Sequence, residues 1–329
     1  MFKLTGYVLA KQIRLRRVAG LGAAAAALAV TALVLVPAAP AAYPGRNGLI
    51  AFRAVIDDTS SGVFTIDPAK PAHQRLVRSF DGDVASAPHY SRDMRMFTFE
   101  LDTADSCASV VTMRTDGSDV KVLPLANGDV CEASPTFSAD GKRIFYEGFD
   151  GNERDAIYSM KLDGSNRRLV TACEGNGVTD PETSPDGRMI SFTCFSNDGA
   201  ALFDSKIDGK GLRQLTPYSF QVGTRADWSP DSRRILFIST PGEGTPQAAV
   251  NTATIAAHGG GLKWLTHFGP GGLRAFGNSY SPDGRWIVLR MENGDQNALF
   301  KMKTDGSDLT QITPYSSFRP RGMTWGSAR

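Results

Sequence analysis

Apolar residues in this chain occur in short runs that Asp-Gly turns interrupt at regular intervals. One interval shows the order: a short piece that ends at Phe137, an apolar run over 143–148, an alternating run over 156–162 and a last run over 169–171. Runs of this length between Gly, Pro, Asp and Ser residues are typical of strands. An Asp-Gly pair between two such runs indicates a hairpin. The pattern therefore predicts units of four short antiparallel strands.

A Ser-Pro-Asp-Gly-type tetrapeptide occurs once in each of five consecutive units. It begins at Ser91, Ser138, Ser184, Ser229 and Ser281, in steps of 45 to 52 residues. The residue before it is aromatic in four of the five units, and Trp325 ends the series without the turn. From Tyr90 to Trp325 is 235 residues in five steps, a mean period of 47. A fixed period of this length predicts a repeat architecture, and four strands per repeat are typical of a propeller blade.

The two ends of the chain complement each other. Residues 49–78 provide strands two to four of a unit that lacks its first strand, and residues 323–326 provide a first strand with nothing after it. A ring closed by these pieces leaves no unpaired end. We therefore expect an all-β fold: a six-bladed β-propeller of four-stranded antiparallel blades, closed by pairing of the C-terminal strand with the N-terminal blade.

The repeated Ser-Pro-Asp-Gly, Lys-Xaa-Asp-Gly and Leu-Thr pieces resemble the TolB-type, WD-like propeller repeat over roughly residues 48–326. Such propellers serve as binding scaffolds, as envelope proteins and as gating domains of peptidases, so the resemblance is specific for fold rather than for function. The TolB propeller partners a peptidoglycan-associated lipoprotein. The resemblance therefore also implies a protein partner in the cell envelope.

The first 41 residues differ in composition from the rest of the chain. They contain five basic residues and no acidic one, followed by an apolar stretch over 21–36 and then Ala39 and Ala41. This order is typical of a secretory signal peptide, so we expect a signal peptide over 1–41 and a propeller over 42–329. The alternative is an uncleaved membrane anchor, although the 16 apolar residues fall short of the about 20 that a spanning helix needs.

Removal of the predicted signal peptide changes the net charge from +2 to −3, because 31 basic and 34 acidic residues remain. A mildly acidic protein is a poor match for nucleic acid or an anionic membrane. Six units of 47 residues account for 282 of the remaining 288, which leaves no second domain. We expect a monomer, secreted or held in the periplasm or cell envelope, that contacts membrane only through its N-terminal segment.

The four cysteines favour two disulfides in an exported chain. Three pairings are possible in principle. In antiparallel blades, the connection between strands two and three lies at the same end as the linker between blades. We therefore expect Cys107 to pair with Cys131 and Cys173 to pair with Cys194.

Motifs for hydrolytic or phosphate-binding chemistry do not occur: there is no Gly-Xaa-Ser-Xaa-Gly, no His-Glu-Xaa-Xaa-His and no phosphate-cradling glycine-rich loop. The repeated Asp-Gly turns offer oxygen ligands for calcium. Asp and Gly at these places are also what tight turns require, and that interpretation is favoured. We expect no cofactor and no metal ion.

The long connections all fall at one end of the predicted ring, the long-loop face, and function concentrates on loops of this kind. Acidic residues belong to blades three and four of this face, and arginines with aromatic residues belong to the other side, a composition typical of interface hot spots. The candidate binding residues are His89, Glu132, Asp180, Glu182, Arg225, Asp227, Arg274, Arg319 and Arg321. The alternative is that these charges form a solvated rim and that the aromatic residues pack between blades.

These observations predict an exported, non-enzymatic propeller that binds a protein segment or an envelope polymer at its long-loop face. The alternative is an extracellular hydrolase or lyase that acts on a glycan or peptide in the propeller channel. A carboxylate pair or a histidine cluster that converges in the channel would favour the enzyme.

Overall fold

The computed structural model describes residues 43–329, except 58–59, 87, 104–105, 125–130, 150–154, 224, 243–248 and the side chains of 106–107 and 149. The described part consists of 25 strands in six antiparallel sheets and one short 3-10 turn, Tyr218–Phe220. Within it, no helix has the length and apolar character needed to cross a membrane. The predicted signal peptide, residues 1–41, lies outside the described residues and stays a prediction.

Each sheet is one blade, and its strands follow the predicted order. Blade 1 contains β1 (Asn47–Val55), β2 (Ser60–Ile66) and β3 (Arg75–Asp81). Blade 2 contains β4 (Asp83–Ala85), β5 (His89–Tyr90), β6 (Met96–Thr103), β7 (Ser106–Arg114) and β8 (Lys121–Val122). Blade 3 contains β9 (Glu132–Phe137), β10 (Arg143–Phe149), β11 (Asp155–Lys161) and β12 (Arg168–Thr171).

The second half of the chain repeats this order. Blade 4 contains β13 (Gly177–Thr183), β14 (Met189–Ser196), β15 (Gly199–Lys206) and β16 (Arg213–Gln214). Blade 5 contains β17 (Asp227–Trp228), β18 (Arg234–Ser239), β19 (Asn251–Ala256) and β20 (Lys263–Trp264). Blade 6 contains β21 (Arg274–Tyr280), β22 (Trp286–Asn293), β23 (Gln296–Lys303) and β24 (Thr310–Gln311).

The last strand, β25 (Arg321–Ser327), closes the ring as the innermost strand of blade 1. It pairs with β1, where Trp325 lies opposite Ile50. The Trp325 indole is buried and donates to the Gly48 carbonyl at 3.2 Å. Trp325 shares an apolar cluster with Val288 of blade 6. The predicted six-bladed propeller and its closure by the C-terminal strand are thereby confirmed.

Apolar clusters join each blade to its neighbours. Six such clusters occur among the described residues, each with side chains from two adjacent blades. Between blades 4 and 5, for example, Leu202 packs with Trp228 and Phe237. Each blade thus buries both faces of its sheet against its neighbours, and the innermost strands surround an axial channel.

The repeat serines and aspartates hold the tight turns at the end of the ring opposite the long loops, the turn face. In all five turns the Ser hydroxyl donates to the Asp carboxylate two residues later at 2.6 to 2.7 Å. The same hydroxyl accepts the backbone N–H five residues later at 2.9 Å. These aspartates are engaged within their own turns.

Cys173 and Cys194 form the predicted disulfide, with their Cα atoms 6.0 Å apart. It joins the linker before blade 4 to β14 of the same blade. Cys131 is also a disulfide cysteine. The side chain of Cys107, its predicted partner, lies outside the described residues, so this second pairing stays a prediction.

Candidate functional site

The innermost strands carry an irregularity at the same position in several blades. Their register with the second strand shifts at Ser134, Asp180 and Gly322. These residues and Arg225 have φ values between 49° and 72°, in the left-handed region that side chains rarely adopt. Each lies four residues before the repeat serine or, in blade 1, before its equivalent Gly326. Bulges of this kind re-aim side chains, and here they lie at the wall of the axial channel.

The channel opens on the long-loop face into a cavity of about 520 Å³, which we call the mouth cavity. All six blades contribute to its lining. A volume of this size is in the range of small-molecule and peptide side-chain sites.

A second set of residues lies on the second strand of each blade, at one common register. In blades 2 to 6 the position is nine residues after the repeat serine, and Arg53 is its equivalent in blade 1. The six members, which we call the strand-two ring, are Arg53, Glu100, Glu147, Thr193, Ile238 and Arg290. Arg53, Ile238 and Arg290 line the mouth cavity directly. The ring is therefore positive in blades 6 and 1 and negative in blades 2 and 3.

Four arginines line the positive side: Arg53, Arg225, Arg290 and Arg321. The Arg290 guanidinium lies 4.1 Å from the centre of the Phe276 ring. Its Nη2 donates to Glu292 Oε1 at 2.8 Å. Its Nη1 is buried and has no hydrogen-bond partner among the described residues. Phe276 and Glu292 thus fix the guanidinium plane and leave one N–H group unused.

The surroundings of two of these arginines disfavour positive charge. Burial, together with the nearby Arg321 and Arg225, lowers the pKa of Arg53 to about 10. Burial also lowers the pKa of Arg290 to about 10, against the attraction of Glu292 and with the repulsion of Arg321. Clustered like charges in a poorly solvated place produce this effect.

The negative side consists of carboxylates behind or within the cavity wall. Asp180 lines the cavity, and its Oδ2 is buried without a partner among the described residues. Glu100 accepts the Ser134 backbone N–H at 3.2 Å, and Glu147 accepts the Thr179 hydroxyl. Burial, with a smaller contribution from neighbouring carboxylates, Asp180 first, raises the pKa of Glu147 to about 7.

A polar bridge crosses the channel below the mouth cavity. His89 Nδ1 lies 3.2 Å from Glu182 Oε2, and His89 Nε2 lies 3.0 Å from Arg225 Nη1. Because the Arg225 N–H can only donate, the network assigns the acceptor role to Nε2 and the proton to Nδ1, which donates to Glu182. The bridge links blades 2, 4 and 5.

Below this bridge the channel narrows to a cavity of about 50 Å³, with room for only a few water molecules. Tyr43 lines it from the turn face. Asp227 also lines it and accepts the Tyr280 backbone N–H at 2.6 Å. Burial, followed by the charge of Glu182, raises the pKa of Asp227 to about 8. The lower channel is therefore narrow and closed by packed side chains.

Six of the nine sequence-predicted residues line the channel: His89, Asp180, Glu182, Arg225, Asp227 and Arg321. The other three do not line either cavity. Glu132 is buried and bonded to Arg167. Arg274 pairs with Glu292 at 3.0 Å beside the cavity, and Arg319 lies on the rim, 3.7 Å from Asp295.

The strand-two ring escaped the sequence analysis because the second strands are apolar runs that belong to the core. A signal was available: Arg53, Glu100, Glu147 and Arg290 are charges within apolar runs, all at the same repeat position.

Comparison with known proteins identifies similar chains. The family model described as "TolB beta propeller domain" matches residues 106–325. The Tol-Pal system protein TolB of Alcanivorax borkumensis is 36% identical over 85 residues, which are 26% of this chain and 18% of that protein. The match thus spans less than a fifth of this relative's length.

Solved structures share the fold at low identity. TolB from Acinetobacter baumannii superposes with a TM-score of 0.68 at 19% identity, covering 85% of this chain and 67% of that one. A puromycin hydrolase S511A mutant superposes with a TM-score of 0.55 at 16% identity, covering 83% of this chain and 46% of that one. At these identities the likeness concerns the fold alone.

Proposed function

This chain belongs to the TolB β-propeller domain family, and we propose that it is an exported, non-enzymatic scaffold that binds a protein segment or envelope polymer at its long-loop face. The supporting observation is the mouth cavity, which is lined by arginines of blades 1, 5 and 6 and by Asp180 of blade 4, with the carboxylates of Glu100 and Glu147 close to Asp180. Opposed charges of this kind orient a partner and exclude wrong ones more than they add raw affinity.

The two ends of the ring differ in what they offer a partner. The mouth cavity is open, and its lining differs from blade to blade. On the turn face two cavities of about 540 Å³ also open, but the five repeat turns between them carry the same Ser–Asp bond in each blade. Non-equivalent residues on a rigid ring are what specific recognition requires. This contrast favours the mouth as the binding surface.

Export is the second part of the proposal, with a signal peptide over 1–41 and a propeller over 42–329. The Cys173–Cys194 disulfide supports it, because such bonds persist in oxidising compartments. The similarity to a Tol-Pal system protein supports the envelope as the place where the partner is found.

Capture of the partner tests the proposal. Residues 42–329 carrying a C-terminal tag are cross-linked in an envelope extract of the source cells, and the captured proteins are identified by mass spectrometry. Arg53→Glu/Arg321→Glu reverses two charges at the mouth. Arg188→Glu/Arg233→Glu is the matched control on the turn face, where both side chains are highly exposed.

We expect one partner that both the wild type and the turn-face variant capture and that the mouth variant loses. Capture that survives the mouth variant and fails in the turn-face variant would place the binding surface at the opposite end. Absence of any captured partner would contradict a scaffold role under the conditions of the extract.

A second candidate, an extracellular hydrolase or lyase, is favoured by one observation. His89, Glu182 and Asp227 converge in the channel, which brings a histidine and two carboxylates together. The space beside them is about 50 Å³, too small for a sugar or a peptide unit. Turnover of a panel of envelope glycans and peptides that Glu182→Gln abolishes would support this candidate; equal background turnover in both proteins would count against it.

A further inference from the structure

We propose that the positive side of the mouth cavity is a binding site for an oxyanion, the carboxylate or phosphate group of a larger ligand. This inference rests on the proposed function, because it names the group that the mouth would recognise. The site consists of Arg53, Arg225, Arg290 and Arg321, which come from three blades and line one cavity.

Arg290 is the fixed part of the site. Its residue is 6% exposed, and it pairs across strands with Phe276, whose ring supports the guanidinium plane. Nη2 of Arg290 donates to Glu292, whereas Nη1 has no acceptor among the described residues. A buried N–H group without a partner is costly, and an arriving acceptor would satisfy it. The donor is already oriented, which reduces the entropy lost on binding.

Arg53 and Arg321 are the adjustable part. They lie directly opposite each other on β1 and β25. Like charges at such a cross-strand position destabilise a sheet. Within the described part of the chain, neither side chain makes a hydrogen bond or ion pair. Their long side chains allow both guanidinium groups to meet one anion with bidentate, charge-assisted bonds.

On the opposite side of the cavity, Asp180 Oδ2 is a buried acceptor without a hydrogen-bond partner among the described residues. The Glu100 and Glu147 carboxylates already accept bonds from Ser134 and Thr179. Glu292 offsets part of the arginine charge and is shared between Arg274 and Arg290, and Glu100 attracts Arg53. The excess of unpaired donors on one side therefore selects an anion. The repulsion among these arginines also predicts that the site lowers the stability of the fold, and that a bound anion or an arginine substitution relieves this effect.

The test uses the mature chain and two simple probes, inorganic phosphate and glutarate. Thermal unfolding is followed as each sodium salt replaces sodium chloride at equal ionic strength, and binding is measured by titration calorimetry. Arg53→Gln and Arg321→Gln each remove one guanidinium group with its positive charge and leave the packed Arg290 unchanged. Arg188→Gln makes the same charge change on the turn face and is the control.

We expect at least one of the two anions to raise the Tm of the wild type and of Arg188→Gln. Arg53→Gln and Arg321→Gln should weaken its binding about tenfold or more and reduce the rise in Tm. Without anion, Arg53→Gln should unfold at the same or a higher temperature than the wild type, whereas a merely structural arginine would lower it. A rise with phosphate alone assigns a phosphate ligand, and a rise with glutarate alone assigns a carboxylate ligand.

Two results would overturn the site: no rise in Tm with either anion, or a rise that is the same in Arg53→Gln and Arg188→Gln. This failure is distinguishable from failure of the scaffold role. A partner that is captured through the mouth, together with no anion effect, would leave the proposed function standing and remove only the oxyanion site.

Discussion

The two ends of this propeller place their charges in opposite environments. On the turn face, hydrogen bonds from Ser118, Ser165 and Ser307 hold the pKa values of Asp116, Asp163 and Asp305 below the ordinary value. At the mouth, burial raises the pKa of Glu147 and lowers that of Arg53. Turn-face charges thus stabilise the fold they belong to, whereas mouth charges reduce its stability.

Equivalent positions of the repeat thus differ in role: the turn positions hold the fold, and the positions of the strand-two ring vary from blade to blade. The turn residues recur because every blade needs the same turn. The Ser and Asp positions are therefore the same in all five turns, where their hydrogen bonds stabilise the fold. The strand-two ring occupies an equally fixed register, yet its six residues range from Arg to Glu to Ile. Such variation at a structurally equivalent position is what the proposed binding surface requires.

The largest effect is expected at the closure of the ring, which both ends depend on. Trp325→Ala removes a buried indole that packs between blades 1 and 6 and donates to Gly48. We expect a loss of about 3 to 5 kcal/mol in the free energy of unfolding, as for other large aromatic deletions. Urea denaturation measures it, with the exposed Leu169→Ala as the control. A loss below about 1 kcal/mol would mean that β25 does not close the ring in solution.

The next effect concerns the disulfide near the long-loop face. Cys173→Ser/Cys194→Ser removes a bond that spans 21 residues. The loop-entropy model gives a loss of about 3 kcal/mol in the free energy of unfolding, which thermal unfolding of the non-reduced wild type and variant measures. Peptide mapping without reductant checks the pair itself; recovery of Cys173 or Cys194 as a free thiol in exported protein would contradict it.

A turn serine tests the stabilising end of the comparison. Ser184 is buried, donates to Asp186 at 2.7 Å and accepts the Met189 N–H at 2.9 Å. Ser184→Ala removes both bonds and leaves the Met189 N–H without its acceptor, so we expect a loss of about 1 to 3 kcal/mol. The matched mouth variant is Thr193→Val, whose hydroxyl is buried without a partner among the described residues. If Thr193→Val lowers the free energy of unfolding as much as Ser184→Ala, then polar groups at the mouth stabilise the fold as much as those on the turn face, contrary to this comparison.

The smallest effect is a pH dependence at the mouth. The pKa of the Glu147 carboxyl is about 7 in the folded protein, above its ordinary 4.5. A raised pKa favours folding below the ordinary value, and that contribution is lost as the pH rises through 7. Glu147→Gln should therefore become more stable than the wild type between about pH 5 and pH 8, by on the order of 1 to 2 kcal/mol after solvent screening. A difference in Tm between the two proteins that does not change with pH would contradict the raised pKa.

The fold was predictable because its determinants are local and recur. The Ser-Asp pair fixes each turn through bonds that span two to five residues, and Trp325 marks the missing strand by its place in the series. The channel residues Arg225 and Arg321 were also predictable, since the linkers lead into the innermost strands. Glu132 was not, because its burial beside Arg167 depends on a contact 35 residues away.

Arg53 and Arg290 were missed for a different reason. Each belongs to an apolar strand, and in the sequence of one blade the charge looks like an isolated exception. Only superposition of the six repeats brings them to one register. In the folded ring both side chains line the mouth cavity.

We propose that the mouth, rather than the turn face, binds the partner. Photo-cross-linking in the source cells tests it most directly, with p-benzoylphenylalanine at Gln221, which lines the mouth cavity, or at the exposed Lys142 of the turn face. We predict that Gln221 gives a discrete adduct with one partner and that Lys142 gives none. An adduct from Lys142 alone would contradict the account.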